Sequence, residues 1–169
     1  VGPSRRTLSK TLLSLSALAL ILAATQAFAA DTGTLLLQGV VQATNNIVVT
    51  PNGTNNTTLN ITGGENNKNV ATVTETSNNL TGYKINAKST NGSELRHSAQ
   101  ASVKTTYTMS YDGGSAVSLT TAYQQLKNVS SLTGLTSNTS NVTVSVAALA
   151  NAPAGTYADT VTFQIVSNP

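Results

Sequence analysis

The stretch Ala152–Val166, APAGTYADTVTFQIV, decides how the rest of the chain is read. Its second half alternates, with Val161, Phe163 and Ile165 on one face and Thr160, Thr162, Gln164 and Val166 on the other. That is the period-2 pattern of a half-buried β-strand. Such a strand needs paired neighbours and a second sheet against its apolar face. Only Ser167, Asn168 and Pro169 follow it, so its partners are expected earlier in the sequence.

The same rhythm recurs upstream. Short alternating runs predict strands near Thr34–Val41, Asn46–Thr50, Thr57–Thr62, Asn69–Thr76, Thr81–Ser89, Val103–Tyr111, Ala116–Thr120, Asn141–Leu149 and Tyr157–Val166. Pro51-Asn52-Gly53, Gly63-Gly64, Asn91-Gly92 and Asp112-Gly113-Gly114 supply turn residues between them. Hairpin signals without a long helical period predict an all-β, antiparallel sandwich. Tyr83, Ile85 and Ala87, then Tyr107, Met109 and Tyr111, then Val142, Val144 and Val146 are its expected inward stripes. Tyr123–Leu132 has room for one helical turn, and Asn52–Asn69 reads as a polar loop with an edge strand inside it.

The first block is set apart. Arg5, Arg6 and Lys10 precede the apolar run Leu12–Ala24, and Ala27-Phe28-Ala29 follows, the pattern of an export signal cleaved before Ala30. The run falls short of the ~20 apolar residues of a membrane span. SRRTLSK, Ser4–Lys10, also matches a twin-arginine signal, so the export route stays open between folded and unfolded passage. The expected organisation is a leader over 1–29, an N-terminal extension over 30–41 and a sandwich over 42–169.

Without the leader the chain is electrically balanced. Nine Lys and Arg less three in the leader leave six, against six Asp and Glu. The basic excess belongs to the leader, and the scattered charges give no patch for nucleic acid or an anionic membrane. Cysteine is absent, so stability is expected from packing or from another chain.

Residues that carry chemistry are few. His97 is the one histidine, in a polar stretch that reads as a solvated loop. One His and no Cys do not make a zinc site of the usual ligand types, and Asp112-Gly113-Gly114 lacks the ligand series of a calcium loop. No nucleophile elbow, P-loop or dinucleotide fingerprint is present. No catalytic residue, metal or cofactor is predicted.

The two ends of the exported part carry a resemblance. Pro153, Gly155, Tyr157 and Asp159, a Pro-x-Gly-x-Tyr-x-Asp pattern, run into Val161, Phe163 and Ile165, and this resembles the C-terminal strand of chaperone–usher pilus (fimbrial) subunits, most of all the spore coat protein U-like and archaic pilin branch. Thr32–Pro51, TGTLLLQGVVQATNNIVVTP, is similar to the N-terminal extension and first strand of those subunits. The resemblance implies an immunoglobulin-like sandwich lacking its final strand, completed by donor-strand exchange. It implies as partners other copies or related subunits, with a periplasmic chaperone and an outer-membrane usher on the way to the cell surface. Leu35, Leu37, Gly39 and Val41 would then be the donor positions, and Val161, Phe163 and Ile165 would line the acceptor groove. The family's disulfide near the first strand has no counterpart here, where Val48 and Val49 stand.

The function these residues point to is a non-enzymatic structural subunit of a bacterial surface fibre or coat. The alternative is a self-contained secreted sandwich, with Thr34–Val41 paired in its own sheet, that binds a surface carbohydrate or protein through loops such as Asn52–Asn69 or Ser89–Ser102.

Overall fold

The structure is a computed structural model that describes residues 31–169; the expected leader, residues 1–29, and Ala30 lie outside the described residues. Nine strands carry the fold: β1 Asn45–Pro51, β2 Glu65–Ser77, β3 Tyr83–Ser89, β4 Glu94–His97, β5 Lys104–Tyr111, β6 Gln124–Val129, β7 Thr136–Val146, β8 Tyr157–Ala158 and β9 Val161–Ser167. They form a six-stranded sheet in the order β1-β2-β7-β5-β4-β8 and a three-stranded sheet in the order β6-β3-β9. Every strand pairing is antiparallel. The chain is an all-β sandwich, and among the described residues there is no helix.

The three expected inward stripes fill the core. Tyr83, Ile85 and Ala87 of β3 face Tyr107, Met109 and Tyr111 of β5 and Val142, Val144 and Val146 of β7, all buried. Alternation puts these apolar side chains on one face of each strand, and the two sheets bury those faces against each other. Val73 from β2 and Leu119 from the loop after β5 complete the packing.

A polar knot joins the layers where a disulfide is lacking. Glu75 of β2 is wholly buried and accepts hydrogen bonds from Tyr83 Oη at 2.7 Å, Ser140 Oγ at 2.7 Å and Tyr111 Oη. Lys127 of β6 reaches it across the sandwich at 3.2 Å and also pairs with Asp112 at 2.8 Å. Burial pulls the Lys127 ammonium down, but the hydrogen bond to Asp112 and the charge of Glu75 outweigh it and hold the group above its ordinary value. A buried carboxylate is tolerated only when paired and hydrogen-bonded, and this one is both.

Several sequence expectations are corrected. Thr34–Val41 forms no strand. Thr57–Thr62 is turn rather than strand, because Thr54 C=O collects the N–H groups of Thr57 and Thr58 together with both hydroxyls. That loop is pinned to the core by Leu59 and Ile61. Ala116–Thr120 contributes only an isolated bridge between Val117 and Met109. Tyr123–Leu132 holds β6, Gln124–Val129, and no helical turn, and Glu94–His97, hidden in a polar run, is β4. Some of the scattered charges are paired: Glu94 with Arg96 and Lys104, and Glu65 with Lys68. Lys104 and then Arg96 hold the Glu94 carboxyl below its usual range.

Candidate functional site: an open groove between β1 and β9

The predicted terminal strand Tyr157–Val166 is two strands in two sheets. Tyr157–Ala158, as β8, pairs with β4, and after Asp159-Thr160 the chain crosses to the other layer as β9 beside β3. Asp159 fixes the crossing. Its Oδ2 accepts from Ser89 Oγ at 2.5 Å and Tyr107 Oη at 2.7 Å, and its Oδ1 from Asn91 N–H at 3.0 Å and Thr160 N–H at 2.7 Å. Burial, and then this hydrogen bond to Asp159, push the Tyr107 phenol far above its ordinary value.

The rest of the Pro153–Asp159 motif packs around His97. The Tyr157 ring stands edge-on to the imidazole at 5.1 Å, and the Tyr157 hydroxyl donates to Pro153 C=O at 3.1 Å. Gly155 has a φ of 154°, and a Cβ there would lie 2.1 Å from His97 Nε2, so a larger residue would have to displace the imidazole. His97 is therefore not a solvated loop residue but part of β4, with Nε2 beside Ala154 C=O at 3.1 Å and Nδ1 accepting from Ala99 N–H.

β9 has β3 on one edge only. Thr90 N–H donates to Thr160 C=O, and Asn168 N–H donates to Gly82 C=O, at the two ends of the register that pairs Ala87 with Phe163. In an antiparallel ladder the hydrogen-bonded residues alternate. Even-numbered residues of β9 therefore bond to β3, while Val161, Phe163 and Ile165 turn their N–H and C=O to the other edge. The same side chains point inward, yet all three are only half-buried.

β1 presents the facing edge. Asn52 N–H donates to Val70 C=O and Asn78 N–H to Thr44 C=O, so the even positions of β1 are spent on β2. Ile47 and Val49 direct their main-chain groups away from it and their side chains toward the core; Val49 is 44% exposed. At one end the two edges meet, with Asn45 Nδ2 donating to Ser167 Oγ at 2.6 Å. Toward Pro51 and Val161 they part over an apolar cavity of about 230 Å³, floored by Val70, Val142 and Val146 and walled by Leu59, Leu95 and Phe163.

The structure thus places Val161 and Phe163 in the wall of the cavity with Asp159 beside them, while Ile165, on the same face of β9, packs against the core beyond the cavity. Leu35, Leu37, Gly39 and Val41 are not brought to any strand; Leu37 is 84% and Val41 88% exposed. Sequence reading missed the opposite wall, Ile47 and Val49, and the flanking Leu59 and Leu95. The last two were legible as single apolar residues in polar runs. Two of the three residues after the predicted strand are also built into the fold: Ser167 belongs to β9, and Asn168 is tied to Gly82, Thr81 and Val129.

Fold and groove define a class, an all-β sandwich with one uncovered core edge. Comparison with known proteins returns no match, neither to a family model nor to a curated protein.

Proposed function

We propose that the protein is a non-enzymatic structural subunit of a bacterial surface fibre or coat, assembled by seating the segment Thr32–Val41 of one copy in the β1/β9 groove of another. The observation that carries this reading is a paired shortage. An apolar groove lacks a strand between two edges with unspent main-chain groups, and an exposed apolar segment of the same chain, Leu35-Leu36-Leu37 with Val40-Val41, lacks a sheet. Joining them is β-augmentation, in which main-chain hydrogen bonds give pairing and alternate side chains give specificity. Leu35, Leu37 and Val41 would enter the groove, with Gly39 where it narrows. Each anchor contributes roughly 1.5–3 kcal/mol on full burial, so completion of the fold and assembly become one step. Passage by way of a periplasmic chaperone and usher belongs to the same reading, as does a location at the cell surface.

Deleting Ala30–Val41 tests it. The truncated domain is expected to unfold at lower temperature, to stay monomeric and to be restored by an added peptide of residues 32–41. A truncated domain as stable as the full chain and indifferent to the peptide would refute donor-strand assembly.

A further inference from the structure

The residues just before β1 are tied to the end of β2 by one side chain. Thr44 adds a rung to the β1–β2 ladder: Asn78 N–H donates to its C=O at 3.2 Å, and Asn78 Oδ1 accepts from its N–H at 2.7 Å. The other end of the same amide, Nδ2, donates to Gln42 C=O at 2.8 Å. These bonds commit Gln42 and Thr44 to the end of β2, the flank of β1 away from the groove.

This matters because a hairpin back onto β1 is open to the extension by register. A hairpin closed through Gln42-Ala43-Thr44 would pair Val41 with Asn45, Gly39 with Ile47, Leu37 with Val49 and Leu35 with Pro51. Three-residue connections are among the common hairpin loops. The odd positions of β1 already face the groove, so that register would also send Leu35 and Leu37 inward. A strand tethered so close would compete at an effective concentration that a separate molecule seldom reaches. What the hairpin lacks is Thr44, which it needs as a loop residue and which β2 already holds.

We infer that Asn78 is a positioning residue that denies the groove to the chain's own extension and so assigns it to the extension of a second copy. This rests on the donor reading above. It names the partner as a second molecule of the same chain, and the device that selects it as the amide at the end of β2.

Two variants of the full chain test it. Asn78→Ala removes both side-chain bonds, and a Gly-Ser-Gly-Ser insertion between Val41 and Gln42 leaves every residue of β1 and β2 in place while giving the extension slack to turn back. Light scattering after size exclusion reads the oligomers, and a fluorescent peptide of residues 32–41 reads the groove. The unaltered chain is expected to form concentration-dependent oligomers and to take up the peptide. Both variants are expected to shift to monomers, with peptide affinity lower by roughly a hundredfold, because a tethered strand occupies the groove. If both keep the parent's oligomers and peptide affinity, the role of Asn78 is overturned and the donor reading stands. If the parent is itself monomeric and ignores the peptide, the donor reading falls and this inference with it. The insertion variant keeps the test decisive if Asn78→Ala does not fold.

Discussion

β3 and β9 are neighbours in one sheet, run in register and carry the same alternation, yet they end in different environments. Tyr83, Ile85 and Ala87 of β3 are fully buried, while Phe163 and Ile165, paired with Ala87 and Ile85, are only half-covered. β3 has a strand on each side, β6 and β9, whereas β9 has one. Alternation decides which face of a strand turns inward; the number of flanking strands decides how well that face is sealed. A well-sealed half, knotted by Glu75, and an unsealed half beside β1 and β9 therefore coexist in one domain.

Substitutions can break or sharpen this contrast. The largest effect is expected at the knot: Glu75→Ala takes the acceptor from two buried phenols and Ser140 and leaves Lys127 paired with Asp112 alone, and should cost about 4 kcal/mol in urea unfolding. Next comes a matched pair in the core. Ile85→Ala should cost about 3 kcal/mol, near the middle of the range for a sealed site. Phe163→Ala should cost only about 1–2 kcal/mol in the isolated chain, below the range for buried phenylalanine, and rise toward that range once peptide 32–41 is bound. Equal costs in the free chain would erase the distinction between the halves.

A smaller effect is expected at the sheet crossing. Asp159→Asn turns an amide donor toward Ser89 Oγ or Tyr107 Oη and should cost about 2 kcal/mol, read by thermal unfolding. The smallest is a pH effect. Lys127, Tyr83, Tyr107 and Tyr111 all have folded-state pKa values raised above their ordinary ones. A raised folded pKa gives stability that is complete below the unfolded value and is lost as pH rises through the folded one. Melting temperature should therefore hold below pH 10.0, the ordinary tyrosine value, and fall above it, with Lys127 adding its share above 10.5. Melts from neutral to strongly alkaline pH, with tyrosinate absorbance recorded alongside, check the sign.

Sheet class and core were legible because they are written locally. Val142, Val144 and Val146 alternate whatever surrounds them, and Asp112-Gly113 declares its turn by residue type. The division of the last strand was not legible. Nothing in Tyr157–Val166 announces that Asp159 will find Ser89 and Tyr107, which are distant in sequence, and these contacts make the chain change layers. β4 was missed because a short strand made of Glu94, Leu95, Arg96 and His97 shows one apolar side chain and no period. Of the groove, the β9 wall could be read from alternation. Its openness entered only as what the resemblance implied, because a missing neighbour is a property of topology and not of any stretch of residues. Asn78 was invisible for the same reason: an Asn before a turn is ordinary until its amide is seen spanning Gln42 and Thr44.

The hydrogen bond between Asn45 and Ser167 gives the fold a nearly circular connectivity, since the first and last strands begin and finish at one corner. Domains whose ends meet in this way tolerate circular permutation. The order in which the strands are threaded is thus partly a free choice as far as packing is concerned. The edges of β1 and β9 are tied together at this corner, so a graft or reporter placed there would sit beside the groove while leaving both sheets intact.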